Sequence, residues 1–214
     1  MCEGFWTEIN MIQPSIKHEI LRKSIHLTSL WIPLIYVLYG QFICFILLII
    51  AALGMLLIDL ARISKGKLNQ ALMPVLMATQ IDRTFRLHEN DALSGASYML
   101  IGALLSIFVF SKETFVTAYS ILMISDTLAA IIGLLRGKHK LIGNKTLEGT
   151  LAFFTSSLVI VLIYETSLYA ACIACIFTTI AELFAKKLKI DDNLLIPISY
   201  CVIFEICKTL IGLK

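Results

Sequence analysis

FICFILLIIAALGMLLIDL, residues 42–60, decides the fold class. A bilayer core of about 30 Å is crossed by a helix of about 20 mostly apolar residues, and this run meets that length. Its apolar residues are continuous rather than alternating, which fits a helix and not a β-barrel strand. The rest of the chain agrees. Of 214 residues, 58% are apolar and 15% charged, with a mean hydropathy of +0.87. Soluble domains run at about 45–50% apolar and about 25% charged. The composition excludes a disordered chain, a secreted disulfide scaffold and a soluble nucleic-acid binder, so no nucleic-acid partner is expected.

The same criterion applied outward gives about seven spans, at 24–39, 42–60, 93–110, 115–135, 149–165, 168–185 and 194–212. Their connections alternate in charge. Lys17, Arg22 and Lys23 precede the first span. Arg62, Lys65, Lys67, Arg83 and Arg86 follow the second, Arg136, Lys138, Lys140 and Lys145 the fourth, and Lys186, Lys187 and Lys189 the sixth. Of the 18 lysines and arginines, only Lys112, Lys208 and Lys214 are left for the other face. The positive-inside rule places the basic face in the cytoplasm. The expectation is an all-α polytopic membrane protein of about seven transmembrane helices, N-terminus cytoplasmic and C-terminus outside. Residues 1–23 form a cytoplasmic N-terminal segment and 24–214 a single transmembrane catalytic domain. The membrane is the plasma (inner) membrane in a bacterium and the endoplasmic reticulum in a eukaryote.

Residues 62–91, including Met73-Pro74, suit an amphipathic helix at the interface. The first 23 residues lack the order of a cleavable signal, since the basic residues and the apolar run come late. Cys172 and Cys175 form a C-x-x-C with no histidine or second pair nearby. They read as small packing residues.

Ionisable residues within spans are costly and mark function by default. Four stand out: Asp126, Glu182, Glu205 and Lys208. Glu205 and Lys208 are three apart on one helix face and are expected to pair. Asp126 and Glu182 have no local partner.

Three polar clusters surround these acids, all on the cytoplasmic side. The central one is SDTLAAIIGLLRGKHKLIGNKTLEGTLA, residues 125–152. Asp126, Ala129, Ala130, Gly133 and Gly137 form a narrow small-residue stripe that lets another backbone or a ligand come close. It leads to Arg136, Lys138, His139, Lys140 and Lys145, with Gly143 and Gly149 following. Basic side chains and backbone N–H groups suit polyphosphate oxygens, and a carboxylate suits Mg²⁺. A basic lipid-surface loop has the same composition. The second is TTIAELFAKKLKIDDNLLIP, residues 178–197. At 1.5 Å per residue, Glu182 lies roughly 6 Å below the basic boundary at Lys186. Asp191, Asp192 and Asn193 suit metal or base chemistry, and Asp192-Asn193 suits a helix cap equally well. The third is HEILRKSIHLTSLW, residues 18–31, where Glu19, Arg22, Lys23 and His26 stand at the edge of the first span. A positive-inside anchor reads the same way.

Together these segments resemble the polyprenol kinase family: dolichol kinases, phytol kinases and CTP-dependent diacylglycerol kinases. Its E-x-x-R-K-x-x-H entry is matched by Glu19, Arg22, Lys23 and His26. Its D-T-x-A-x-x-x-G…G-K…N-K-T-x-E-G-T-x-A core is matched by Asp126, Thr127, Ala129, Gly133, Gly137, Lys138, Asn144, Lys145, Thr146, Glu148, Gly149, Thr150 and Ala152. Its E…D-N-L-x-x-P ending is matched by Glu182, Asp192, Asn193, Leu194 and Pro197.

The resemblance implies transfer of the γ-phosphoryl group of CTP to a lipid alcohol, with Mg²⁺ or another divalent cation as cofactor. The partners are membrane lipids, a nucleotide and a polyprenol-type or diacylglycerol acceptor. It implies Asp126, Lys145, Glu148, Glu182 and Asp192 as catalytic groups, with Asp126 and Glu182 nearest the metal. Gly133, Gly137, Lys138, His139, Lys140, Asn144, Lys145, Thr146 and Gly149 would meet the nucleotide. Glu148 would orient Lys145 or hold a second metal, and Arg22, Lys23, His26 and Asn193 complete the motif. The candidate bases are Glu182, Asp192, His26 and His139. Phosphatidate cytidylyltransferases share part of the central block, but their G-H-G-G and D-R-x-D ending is missing here. A small transporter or assembly factor is a third reading, although transporters place their polar sites near the midplane.

Overall fold

The computed structural model describes residues 16–64, 74, 92–165, 167–210 and 212. Its helices are α1 (Ile16–Thr28), α2 (Trp31–Ser64), α3 (Gly95–Val109), α4 (Lys112–Arg136), α5 (Leu147–Tyr164), α6 (Leu168–Leu188) and α7 (Asp192–Leu210). Among the described residues there is no strand beyond an isolated bridge between Lys140 and Thr146. The all-α expectation therefore holds over this range.

Five stretches are long and apolar enough to cross a membrane: Glu19–Ser64, Lys112–Arg136, Leu147–Tyr164, Leu168–Leu188 and Asp192–Leu210. The first has 46 residues. As a straight helix it would reach roughly 69 Å, more than twice the bilayer core. It is broken at Gly40, whose φ of 84° and ψ of 177° are open to glycine and strained for other residues. The break falls between the expected spans 24–39 and 42–60. Helix α3 has 15 residues, short for a crossing.

Local chemistry sets the remaining boundaries. Ser94, Ser111 and Thr146 each accept a hydrogen bond from the backbone N–H three residues on, capping α3, α4 and α5. Asp191 caps α7, its Oδ1 accepting from Asn193 N at 2.9 Å. The expected cap at Asp192-Asn193 is thus moved back one residue, which puts Asp192 in the first helical turn. Lys189 ends α6 in the left-handed conformation at φ 57°.

Helix α7 packs against α3, α4 and α6. Between the helices lie buried Ile32, Leu48, Phe115, Tyr119, Phe153 and Tyr200. Leu34, Phe42, Ile50, Val109, Ile163 and Leu210 point outward, as lipid-facing side chains would.

Polar contacts gather at the two ends of this apolar body. At one end Thr114 donates to Glu205 at 2.9 Å and Tyr200 to Glu165 at 3.3 Å. Glu205 therefore turns to Thr114, and among the described residues no ion pair joins it to Lys208. The reason is that α7 packs against α4 along this face, bringing a hydroxyl to the carboxylate. The other end holds a joint that the sequence reading missed. Asp59 is fully buried and accepts from Arg62 Nη2, Ser94 N, Ser94 Oγ and Ser97 Oγ at 2.6–2.9 Å. It ties the end of α2 to the start of α3. The expected interfacial helix within 62–91 lies almost wholly outside the described residues, as does most of the 1–23 segment.

Candidate active site

The first component joins α1 to α4. Lys23 donates to Asp126 Oδ2, and both side chains are buried. Asp126 had no sequence-local partner; the fold supplies one across 103 residues. His26, one turn after Lys23, places Nε2 3.2 Å from the Leu122 carbonyl oxygen and 3.8 Å from Asp126 Oδ2. Leu122 lies in a π-helical turn, Ile121–Ser125, which immediately precedes Asp126. Such turns are frequent at functional sites because they re-aim side chains and carbonyls. Arg22 points elsewhere, to Glu19 at 2.5 Å and 3.1 Å.

The second component is the α4–α5 hairpin. The small-residue stripe brings the two backbones together. A Cβ on Gly149 would come within 2.8 Å of the Ala129 carbonyl oxygen, and one on Gly133 within 3.1 Å of Thr146 Oγ1. The intervening loop folds on itself, with Leu141 N donating to Lys145 O at 2.9 Å and Leu147 N to His139 O at 2.8 Å. Gly143 takes the positive φ of 58° that this turn requires. Lys138, Lys140 and Asn144 are exposed on it. Glu148 reaches His139, its Oε1 2.7 Å from Nδ1. The expected contact from Glu148 to Lys145 is not formed, because Lys145 turns the other way.

Lys145 turns toward α6 and donates to Glu182 Oε1. Burial works against its ammonium, but Glu182, Asp192 and Asp126 outweigh that and hold the amine above its ordinary value. The Asp192 charge acts on Lys23, Asp126, Lys145 and Glu182 alike. The two lysine–carboxylate pairs and Asp192 thus form one electrostatic unit. Glu182 is 1% exposed, and its second oxygen, Oε2, has no hydrogen-bond partner; Asn193 Oδ1 is unpaired in the same way.

A cavity of about 370 Å³ opens beside this unit, lined by Tyr98, Lys145, Lys186, Lys189, Asp191 and Asp192, with Ala92 and Leu93 at its side. The structure therefore brings Lys23, His26, Asp126, Lys145, Glu182 and Asp192 together. Lys138, Lys140 and Asn144 stay on the exposed loop, Gly133 and Gly149 serve the helix contact, and Thr146 is a cap. Lys186 and Lys189 entered the sequence reading as topology signals and not as site residues, although their run at the end of α6 carries the signal. Among the described residues, no group of three or more His, Cys, Asp or Glu side chains stands ready to hold a metal ion.

The uncharacterized protein RP860 of Rickettsia prowazekii is 33% identical over 190 residues, covering 85% of this chain and 90% of that protein. The uncharacterized protein MJ1137 of Methanocaldococcus jannaschii is 42% identical over 115 residues, 51% of this chain and 56% of that one. The CTP-dependent diacylglycerol kinase 1 of Saccharomyces cerevisiae is 33% identical over 145 residues, 65% of this chain and 48% of the yeast protein. No protein-family model and no solved structure matches the chain. By its identity to the Rickettsia protein and its coverage of nearly all of it, the chain belongs to that protein's family, in distant relationship to a CTP-dependent diacylglycerol kinase.

Proposed function

We propose that the protein is a CTP-dependent lipid-alcohol kinase, with 24–214 as a single catalytic domain of seven crossings. The observation that carries this reading is the union of a buried lysine–carboxylate pair, a second pair whose carboxylate is buried, and Asp192 beside a cavity lined by three lysines. Phosphoryl transfer asks a protein mainly to position its substrates and neutralise charge. The distant similarity to a CTP-dependent kinase supports the donor.

The carboxylates fit a divalent cation. Mg²⁺ is usually held by one or two carboxylates plus substrate phosphates rather than by an all-protein cage. Asp126 and Glu182 are buried carboxylates of one electrostatic unit, and Glu182 Oε2 lacks a donor. Asp126 would hold the ion, which when bound neutralises phosphate oxygens, and Glu182 Oε2 is left to the acceptor. Lys145, Lys186 and Lys189 bind the phosphates from the cavity wall, and Lys138 and Lys140 approach from the loop. Glu182 Oε2 takes the proton of the acceptor hydroxyl as its oxygen attacks the γ-phosphorus; the bond to the β–γ bridging oxygen breaks and CDP leaves. Lys23 holds Asp126 in place, and His26 packs that lysine's helix onto the π turn.

The test uses purified protein in lipid micelles, CTP labelled in the γ-phosphate and a panel of lipid alcohols. A labelled lipid phosphate is the expected product. Consumption of phosphatidate with release of pyrophosphate replaces the kinase with a cytidylyltransferase.

A further inference from the structure

The cavity is lined in two ways. The head of α5 and the turn from α6 to α7 give it charge, through Lys145, Lys186, Lys189, Asp191 and Asp192. The head of α3 gives it Ala92, Leu93 and Tyr98, which carry none. Phosphate oxygens account for the lysines and leave the α3 wall without a role. The cavity's volume of about 370 Å³ lies within the range of small-molecule sites, roughly 300–1,000 Å³.

The α3 wall is held in place from two sides. Arg62 Nη2 donates to the Ala92 carbonyl oxygen at 2.9 Å and to Asp59 Oδ1 at 2.8 Å. Asp59 Oδ2 accepts from Ser94 N, from Ser94 Oγ and, at 2.6 Å, from Ser97 Oγ. Ser97 immediately precedes Tyr98. From the other side comes α7: a Cβ on Gly95 would fall 2.5 Å from Asn193 Nδ2. That Nδ2 donates at 2.7 Å to Asp191 Oδ1, on the charged wall. The two walls are thus fixed relative to each other. A buried acid at the end of an apolar run is costly, and what Asp59 holds is the segment that carries Tyr98.

A nucleotide divides as the cavity does, into a polyanion and an uncharged aromatic ring. Aromatic side chains bind bases by stacking on their faces. We infer that the head of α3 is the nucleobase subsite, with the base of CTP against the Tyr98 ring and with Asp59 and Ser97 as positioning residues. This rests on the kinase reading. The lipid acceptor keeps its chain in the hydrocarbon, whereas this wall shares a cavity with three lysines at the basic end of the helix body.

The experiment measures the Kd of labelled CTP for the detergent-solubilised full chain with Mg²⁺, by equilibrium dialysis, and that of tripolyphosphate by displacement of CTP. Tyr98→Leu is expected to raise the Kd of CTP about tenfold, the scale of one lost base stack, and to leave tripolyphosphate unchanged. Tyr98→Phe is expected to keep both values, and Lys189→Met to raise both. Ser97→Ala is expected to weaken CTP several-fold when Tyr98 is present and to add nothing in the Tyr98→Leu background, the coupling that a positioning role requires. Photocrosslinking of 5-iodo-CTP to the wild-type protein needs no variant to fold, and the label is expected on the segment carrying Tyr98. A label confined to the hairpin loop at 137–146 overturns the subsite. So does a Tyr98→Leu protein that binds CTP normally, or one that loses tripolyphosphate in proportion; both leave the kinase reading intact. Wild-type protein that binds neither compound ends the kinase reading and the subsite with it.

Discussion

Lys23 on α1 and Asp126 on α4 form an ion pair with 2% and 3% of their side chains exposed. Removing one partner of a buried pair leaves an uncompensated charge and costs about 3–5 kcal/mol. Asp126→Asn alone is therefore expected to lower the thermal unfolding midpoint as well as abolish turnover. Lys23→Met/Asp126→Asn removes both charges and is expected to recover much of the stability without recovering turnover. Unfolding in detergent and labelled-CTP turnover measure the two effects separately. A double variant that turns over normally takes Asp126 out of the reaction.

Lys145 gives a pH dependence of definite sign. Burial lowers its affinity for a proton, but Glu182, Asp192 and Asp126 raise it further, so the folded value lies above the ordinary 10.5. A raised value means that its contribution to stability is full below 10.5 and is lost as pH rises through the higher folded value. The stability gap between wild type and Lys145→Met/Glu182→Gln is expected to stay constant from about pH 8 to 10 and to narrow only above that. Thermal unfolding across this range measures it. A gap that closes by pH 8 means that the folded lysine is already neutral.

The cavity ranks the basic residues. Lys186 and Lys189 line it with Lys145, whereas Lys138 and Lys140 stand exposed on the hairpin loop. Lys186→Met and Lys189→Met are expected to raise KM for CTP several-fold with kcat less affected, as loss of uniform binding does. Lys138→Met is expected to act more weakly, since an exposed charge contributes about 0–1 kcal/mol. Steady-state kinetics with CTP varied decide the order. A larger KM effect at Lys138 than at Lys186 places the phosphates on the loop instead.

Length and hydropathy made the helices legible, down to the break at Gly40, because crossing a bilayer is a one-dimensional constraint. The acids were legible for the same reason: Asp126 and Glu182 are too costly in an apolar run to be incidental. Their partners were not. Lys23 meets Asp126 and Lys145 meets Glu182 only through the packing of α1 on α4 and α5 on α6, at separations of 103 and 37 residues. Glu148 lies close to both Lys145 and His139 in sequence, and the loop's own hydrogen bonds deliver His139. Asp59 escaped notice because it ends an apolar run, where an acid resembles an ordinary boundary residue.

The proposed site needs cytosolic nucleotide, so it must open on the cytoplasmic side of the membrane. Lys23, Lys145, Lys186, Lys189 and Asp192 lie at one end of the helix body, and Lys112, Glu165, Glu205 and Lys208 toward the other. Among the described residues, most of the basic side chains lie at the first end, which the positive-inside rule assigns to the cytoplasm. Seven crossings require that the two arms flanking Gly40 cross separately and that α3 crosses despite its 15 residues. Reporter fusions after residues 140 and 189 are expected to be cytoplasmic, and one after residue 112 external. Cysteine labelling from outside in a cysteine-free background provides the complementary readout: a cysteine at 112 is expected to react, and one at 140 to be protected until the membrane is opened. External labelling at 140 inverts the orientation and removes the site from the cytosolic nucleotide pool. A fusion after 112 on the same side as 140 removes the crossing assigned to α4, and the count of seven with it.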